Sequence, residues 1–155
     1  MKIKLNEVEQ RLAKFIAKKR YQVAREAGVY DNKLGDQSNW ETDLEGIAGE
    51  IAYCKHKNCF PDLELKSYGY YDCIDPEIGT VDVKTTKYKT GKLLAVKGKA
   101  LKDKIPDAYA LIIGEFPNYE YKGWATSNEL LDNKNLQSLN GKSEGFVLSQ
   151  DKLRR

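Results

Sequence analysis

The sequence has few of the residues that mark several common protein classes. Its 155 residues include one histidine, one methionine and three cysteines. The single histidine, His56, is not placed beside an evident nucleophile, so a serine or cysteine hydrolase has little support. Three cysteines cannot all pair within one chain, and a domain of this length does not need disulfides to fold. This cysteine content favours a reduced, intracellular protein.

Long apolar runs and nucleotide-binding motifs are also absent. No run approaches the about 20 apolar residues of a membrane span, and the N-terminus lacks the apolar segment of a secretory signal. The chain contains neither a G-x-G-x-x-G sequence nor a P-loop, which argues against nucleotide binding by those routes. These absences predict a cytoplasmic protein with no membrane partner.

The net charge is small, but the charges are unevenly distributed. The total is +3, whereas residues 87–104 contain seven lysines against one aspartate. Such a lysine cluster suits contact with a phosphate backbone without readout of sequence, and the alternative is a solvated charged surface. The residues predicted to contact DNA are Lys87, Lys89, Lys92, Lys97 and Lys99.

The first part of the chain has helical periodicity. A helix is predicted over residues 6–27, with Asn6 and Glu9 as a capping box and Gly28 as the C-terminal cap. Its basic surface is either solvated or a contact for a polyanion. Residues 29–39 are predicted to be a loop and 40–57 a second helix, in which Gly46 and Gly49 indicate close approach of another backbone or a ligand. The predicted apolar positions of the first helix are Leu5, Val8, Leu12, Phe15, Ile16 and Val23.

The rest of the chain has the pattern of short strands. Residues 70–75 and 80–88 are predicted to form a hairpin, with residues 92–96 as a third strand. Residues 108–114 form an apolar run expected of a strand covered on both faces, and 119–126 alternate as an antiparallel strand does. Ser127 is predicted to cap a short helix, and residues 146–148 to add an edge strand. The expected fold is one α/β domain over residues 1–155, with a central mixed sheet flanked by helices.

The most informative segment carries an aspartate and a lysine two residues apart on a predicted strand. Asp82 and Lys84 share one face of that strand, because successive side chains alternate. Acid-x-Lys triplets occur five times in the chain, and only this one follows an acidic strand and an acidic helix that carries Glu50. Converging carboxylates repel one another, and a hard cation such as Mg²⁺ relieves the repulsion. With a lysine beside it, such a site is equipped for metal-assisted phosphodiester hydrolysis.

At these residues the sequence resembles the PD-(D/E)XK nuclease superfamily, especially its small phage-type and resolvase-like members. The resemblance covers residues 40–115 and rests on Glu50 in a helix, Asp72 at the start of a hairpin strand, and Asp82-Val83-Lys84. It implies a restriction-endonuclease-like αβββαβ core, DNA cleavage, dependence on Mg²⁺ or Mn²⁺, and a phage or mobile-element origin, hence the host cytoplasm. The implied ligands are Asp72, Asp82 and the carbonyl of Val83, with Glu50 as supporting acid and Lys84 as catalytic lysine. A resolvase-like member would act as a homodimer.

Two positions of the superfamily pattern leave alternatives open. The literal Pro-Asp is absent, and Asp75-Pro76 has the reverse order, so Asp75 rivals Asp72. Asp72 is preferred because it precedes apolar residues, whereas Asp75 stands at a proline turn. Glu45 rivals Glu50 on the second helix, and Glu50 is preferred because it follows Gly49.

Other features are weaker. The sequence Cys54-x-His56-x₂-Cys59 offers candidate zinc ligands without a fourth nearby. Tyr68, Tyr70 and Tyr71 suit either stacking on unpaired bases or packing against the sheet. The alternatives to a nuclease are a non-catalytic nucleic-acid-binding protein on the same fold and a structural or inhibitor protein.

Overall fold

Two long helices follow the first strand. The computed structural model describes residues 1–26, 39–65, 69–101 and 104–155. Helix α1 spans Glu7–Glu26 and α2 spans Asn39–Lys57. The predicted capping box is confirmed: Asn6 N donates to Glu9 Oε2 at 2.7 Å, and Glu9 N donates to Asn6 Oδ1 at 2.9 Å. Gly28 and residues 29–38 lie outside the described residues.

The predicted apolar face of α1 is partly wrong. Ala13, Ile16 and Ala17 are its buried residues, whereas Val8 and Phe15 are 74% and 57% exposed. The side chains buried between α1 and α2 are mostly small, and the two larger apolar residues point away from that contact. None of the described helices has the length and apolar content needed to span a membrane.

A five-stranded mixed sheet forms the centre of the fold, in the order β1-β6-β5-β3-β2. The predicted hairpin is confirmed as the antiparallel pair β2–β3, and β3 runs parallel to β5 while β6 lies antiparallel to both β5 and β1. The short strand β1 was not expected from the sequence. The strands of this sheet are β1 (Lys2–Lys4), β2 (Cys73–Asp75), β3 (Gly79–Thr86), β5 (Ala108–Glu115) and β6 (Asn118–Thr126).

A second sheet of three strands has the order β4-β8-β7. Its strands are β4 (Leu93–Val96), β7 (Leu136–Leu139) and β8 (Ser143–Leu148). The predicted third strand therefore exists as β4, but it pairs with β8 and not with the hairpin. The predicted strand at 146–148 is confirmed as part of β8, but its predicted edge position is wrong, because β8 lies in the middle of this sheet. Leu93 and Ala95 are buried in the second core, which accounts for the position of β4.

Strand β5 is covered on both faces, as its apolar run predicted. Ala108, Ala110 and Ile112 belong to the core shared with α1 and α2. Tyr109, Leu111 and Ile113 belong to the core shared with the second sheet. The fold is therefore mixed α/β, with β5 between two hydrophobic cores.

The described elements also include two short α-helices, α3 (Lys97–Ala100) and α4 (Ser127–Leu130), and two 3₁₀ turns, Asn133–Asn135 and Gln150–Lys152. The expectation that Ser127 caps α4 is wrong. The cap is Thr126, whose hydroxyl accepts from Glu129 N at 3.2 Å while Glu129 Oε2 accepts from Thr126 N at 2.9 Å. Ser127 instead donates its hydroxyl to the carbonyl of Pro106, which fixes α4 against the start of β5.

Helix α2 packs directly on β3 at Gly49. A Cβ atom at this position would lie 1.9 Å from Thr85 Oγ1, so only glycine permits the observed contact. Gly46 has no atom within 4 Å of the corresponding position, so the expectation of a close approach holds for Gly49 and fails for Gly46.

These two glycines provide a matched test of the packing. Gly49→Ala should lower the free energy of unfolding by roughly 1–3 kcal/mol, because the methyl group overpacks the contact with Thr85. Gly46→Ala should raise it by up to about 1 kcal/mol, because alanine favours the helix and meets no neighbour. Urea unfolding of both variants measures the difference. Equal stabilisation by the two substitutions would contradict the close contact of α2 with β3.

Candidate active site

Asp82 and Lys84 lie side by side on β3, as the alternation predicted. Val81 and Val83 are buried in the core beneath α2, and the aspartate and lysine occupy the opposite face. Lys84 Nζ is 2.8 Å from Asp82 Oδ1 and 5.8 Å from the ring centre of Tyr109 on the neighbouring strand. The strand thus presents a carboxylate and an ammonium in contact.

Asp72 lies at the edge of β3, just before the first residue of β2. Its Oδ2 accepts from Val83 N at 2.7 Å, and its own N–H donates to the carbonyl of Val81 at 2.8 Å. Since the N–H and C=O of one strand residue point to the same side, the carbonyl of Val83 faces the edge occupied by Asp72. The structure therefore brings Asp72 and the backbone of Val83 together.

The rival residue Asp75 has a structural role in the turn between β2 and β3. Its side chain is 2% exposed, and its Oδ1 accepts from Glu77 N at 2.8 Å and from Ile78 N at 3.3 Å. Its Oδ2 accepts from the hydroxyl of Tyr53 at 2.8 Å. Both carboxylate oxygens of Asp75 therefore accept hydrogen bonds, one from the turn and one from Tyr53 of α2. This structural role of Asp75 supports the choice of Asp72.

Glu50 extends from α2 toward Asp72 and Asp82. It is buried, and both its charge interaction with Asp82 and a hydrogen bond to Asp72 affect its pKa. Burial raises that pKa from 4.5 to about 7, although Arg20 lowers it by charge and hydrogen bonding. The rival Glu45 is engaged elsewhere, accepting from Phe116 N at 2.9 Å and from the hydroxyl of Tyr119 at 2.6 Å. Glu50 is therefore the glutamate of α2 that joins the two aspartates.

Arg20 of α1 is a further residue of the candidate site, and the sequence pattern did not predict its contact with Glu50. Its Nη1 donates to Glu50 Oε2 at 3.2 Å and its Nη2 donates to the carbonyl of Asp62 at 2.6 Å. Its Nε is buried without a hydrogen-bond partner among the described residues. Helical spacing alone cannot show this contact, because the glutamate is 30 residues away in the sequence.

The pKa of Asp72 reflects the proximity of Glu50 and Asp82. Burial raises this pKa well above its ordinary value of 3.8, and the charges of Glu50 and Asp82 raise it further. Among the residues that the structure describes, these three carboxylates do not form a group with all ligand oxygens within 4.8 Å of one another. Arg20 contacts Glu50 and Lys84 contacts Asp82, and the charge of Lys84 lowers the pKa of Asp72 by less than burial and the two other acids raise it.

Lys84 remains a cation in this environment. Burial acts to lower its pKa, but the charge and hydrogen bond of Asp82 outweigh burial, and the net pKa is raised. The protonated lysine can therefore stabilise negative charge on a bound group and donate hydrogen bonds, but it is not suited to accept a proton.

The lysine cluster begins where β3 ends. Lys87, Lys89 and Lys92 are exposed in the connection from β3 to β4, and Gln150 Nε2 holds this connection by donating to the carbonyls of Lys89 and Gly91 at 3.0 and 2.7 Å. Lys99 is exposed on α3, whereas Lys97 Nζ lies 3.9 Å from Glu144 and is partly neutralised. Lys102 lies outside the described residues.

Lys104, the last lysine of the cluster, lies near the segment that precedes Asp72. Lys104 Nζ lies 5.6 Å from the ring centre of Tyr70, two residues before Asp72. Tyr70 and Tyr71 pack edge to face with their ring centres 4.8 Å apart, while Tyr68 lies outside the described residues. Lys104 thus lies beside the segment that leads into Asp72, and Lys87 follows the end of the strand that carries Asp82.

The candidate zinc segment is arranged differently from the expectation. His56 packs on Tyr121, with ring centres 4.6 Å apart, and does not join Cys54 and Cys59. The third member is instead Cys73 of β2, and the three Sγ atoms lie within 4.8 Å of one another. The sequence separation of Cys73 concealed this grouping, which depends on the packing of α2 against β2.

Comparisons of the chain with protein families, with curated proteins and with solved structures find no match. The interpretation of this site therefore rests on its own geometry and chemistry.

The raised pKa of Glu50 predicts how stability depends on pH when divalent cations are absent. The folded chain holds the Glu50 proton more tightly than the unfolded chain does, because its pKa rises from 4.5 to about 7. The free energy of unfolding should therefore fall as pH increases between these two values. Glu50→Gln should reduce this fall, since glutamine carries no ionisable proton.

Urea unfolding at several pH values in EDTA measures the effect. Glu7→Gln serves as the control, because Glu7 is 77% exposed at the start of α1 and its replacement should leave the pH dependence unchanged. If the free energy of unfolding of Glu50→Gln depends on pH as that of the wild type does, folding does not raise the pKa of Glu50.

Proposed function

We propose that this protein is a Mg²⁺-dependent deoxyribonuclease of the PD-(D/E)XK type. The observation that carries the proposal is the grouping of a helix glutamate, an edge aspartate and an Asp-x-Lys pair at one place on β3. The residues are Glu50, Asp72, Asp82 and Lys84. Three acids on separate elements have no evident structural reason to be drawn together, since their repulsion opposes folding.

We further propose that residues 40–115 form a restriction-endonuclease-like core. Helix α2 contributes Glu50, the β2–β3 hairpin contributes Asp72 and the Asp82–Lys84 pair, and β5 runs parallel to β3. The pairing of β4 with the second sheet is a departure from the αβββαβ order.

The donors present fit Mg²⁺ or Mn²⁺. Asp72, Asp82 and the carbonyl of Val83 would hold the cation, with Glu50 as a supporting acid. These are hard oxygen donors, and Mg²⁺ commonly takes one or two carboxylates and fills its other positions with water. The raised pKa values of Glu50 and Asp72 support the fit, because a group of acids with too little positive charge favours a cation. When bound, the cation would supply Lewis-acid polarisation of a phosphoryl oxygen and of water.

The role proposed for Lys84 follows from its protonation. As an ammonium it donates a hydrogen bond that orients the attacking water in line with the scissile phosphate. It also stabilises the negative charge that develops on the phosphate oxygens. Asp82 fixes its position through the 2.8 Å contact. In the hydrolysis the attacking water loses a proton to solvent as its oxygen bonds to phosphorus, one ester P–O bond breaks, and the leaving oxygen gains a proton from solvent.

DNA is the proposed substrate because of the lysines on either side of the acids. Lys87 and Lys89 continue directly from β3, and Lys104 stands by Tyr70 next to Asp72. A strand of nucleic acid that crosses the site would meet positive charge at both ends. Contacts of this kind bind phosphates and carry no sequence information.

Removal of the Lys84 ammonium should abolish most of the activity. Lys84→Ala should lower the rate of cleavage by roughly a hundredfold to a thousandfold, the usual cost of losing one donor that stabilises transition-state charge. Folding and DNA binding should change little. The assay uses linear, nicked and branched DNA with Mg²⁺ or Mn²⁺.

A second acid-x-Lys pair in the chain provides the control. Lys122 on β6 contacts Glu120 at 2.7 Å, so Lys122→Ala removes a similar ion pair away from the proposed site and should retain full activity. Equal loss in both variants, or no cleavage by the wild type on any substrate, would contradict the proposed function. DNA binding that is indifferent to both Mg²⁺ and Asp82→Ala would instead favour a non-catalytic DNA-binding protein.

The lysine cluster should determine the salt dependence of binding. Replacing Lys87 and Lys89 together by glutamine should reduce the slope of log affinity against log salt by about 0.9 for each phosphate that the protein no longer neutralises. Replacing the exposed Lys2 and Lys4 together by glutamine should leave the slope unchanged, because β1 is the edge strand opposite the β2–β3 hairpin. Fluorescence anisotropy with a labelled duplex in Ca²⁺ or EDTA measures both. Identical slopes in the two double variants would exclude the assigned surface.

A further inference from the structure

Three cysteines from α2, from the segment after it and from β2 meet beside the candidate active site. Cys54 is near the end of α2, Cys59 follows that helix, and Cys73 is the first residue of β2. Their sulfur atoms lie within 4.8 Å of one another, and all three thiols are free. The cluster is separate from the acids proposed to hold Mg²⁺.

The backbone around the cluster is fixed by several contacts. Asn58 ends the helix in the left-handed region with φ of 53°, and Cys59 N donates to the carbonyl of Cys54 at 3.0 Å. Pro61 then forms a bridge to Cys73, and the chain runs back beside β2. The three thiols are therefore held toward one another by hydrogen bonds of the main chain.

We propose that Cys54, Cys59 and Cys73 form a binding site for one Zn²⁺ ion. Zinc bound by thiolates at about 2.3 Å in a tetrahedron requires sulfur atoms about 3.8 Å apart, which lies within the 4.8 Å limit that encloses the three sulfur atoms. Soft thiolate donors select zinc and monovalent copper over Mg²⁺ and Mn²⁺. This site is therefore chemically distinct from the oxygen site on β3.

The surroundings of the cluster favour zinc over monovalent copper. Three thiolates leave one net negative charge around Zn²⁺ and two around Cu⁺. The buried carboxyl of Asp75 lies close enough for its charge to act on Cys59 and Cys73. Additional negative charge is costly there, so the divalent ion is the better match.

An ion and any further ligand would reach the three thiols from the side of Cys59. Cys54 and Cys73 are each 1% exposed, whereas Cys59 is only partly buried. Among the described histidine, aspartate and glutamate residues, none joins the three thiols as a ligand. The fourth position is accordingly open to water or to a small ligand that enters past Cys59.

The test titrates reduced, chelator-stripped protein with Zn²⁺ against a chromophoric chelator, and separately with Co²⁺. We expect one ion per chain, and a sulfur-to-cobalt charge-transfer band in the near ultraviolet together with the visible bands of tetrahedral cobalt. Cys59→Ser should weaken that band, because only two thiolates remain, and should bind Zn²⁺ at least about tenfold more weakly, since loss of a hydrogen-bond partner of a ligand alone costs that much. His56→Ala should match the wild type, because His56 packs on Tyr121.

Thermal unfolding of the same samples separates loss of a ligand from loss of the fold. At one Zn²⁺ concentration the ion should raise the unfolding temperature of the wild type more than that of Cys59→Ser, and the metal-free forms should unfold at similar temperatures. Three results would each overturn the proposal: no charge-transfer band, equal Zn²⁺ affinity in wild type and Cys59→Ser, or binding of Cu⁺ without binding of Zn²⁺. None of these measurements depends on DNA cleavage.

Discussion

The contact between Gly49 of α2 and Thr85 of β3 determines the arrangement of the candidate site. Because Gly49 has no side chain, the side chain of Thr85 packs directly on the helix, with a Cβ position only 1.9 Å from the threonine hydroxyl. The next residue, Glu50, is thereby directed to the edge where Asp72 meets Val83. One turn later, Cys54 reaches Cys73 on β2. Both proposed metal sites therefore depend on the same close packing.

The electrostatics of the acids are unusual for a group with only a structural role. Folding brings Glu50, Asp72 and Asp82 together and leaves two of them with raised pKa values. Arg20 offsets part of this cost by its contact with Glu50 at 3.2 Å. That arginine also ties α1 to the segment after α2 through the carbonyl of Asp62. A cation bound by the acids would share with Arg20 the task of neutralising Glu50.

Local signals in the sequence predicted the parts of the fold that depend on neighbouring residues. The capping box at Asn6 and Glu9 and the alternation of Asp82 and Lys84 on β3 require only spacing of a few residues. The burial of β5 on both faces followed from its continuous apolar run. These features were predictable because the interactions are short-range.

Features set by tertiary packing were not predictable in the same way. Strand β4 joined the second sheet because Leu93 and Ala95 are buried in the second core, a choice that no local pattern expresses. Val8 and Phe15 have helical spacing, yet both are exposed, and the buried residues of α1 are Ala13, Ile16 and Ala17. Arg20 and Cys73 became site residues through contacts with residues remote in sequence. The resemblance supplied a set of acids, and the choice of Asp72 over Asp75 was supported by the hydrogen bonds of the turn.

The most direct test of the proposed nuclease site is the position of a bound cation. A crystal of the protein soaked in Mn²⁺ and measured at the manganese absorption edge locates that ion from its anomalous scattering. We expect an ion about 2.2 Å from an oxygen of Asp72, an oxygen of Asp82 and the carbonyl of Val83, with Lys84 beside it. An anomalous signal elsewhere, or none at saturating Mn²⁺ with the three acids in place, would contradict the proposed site.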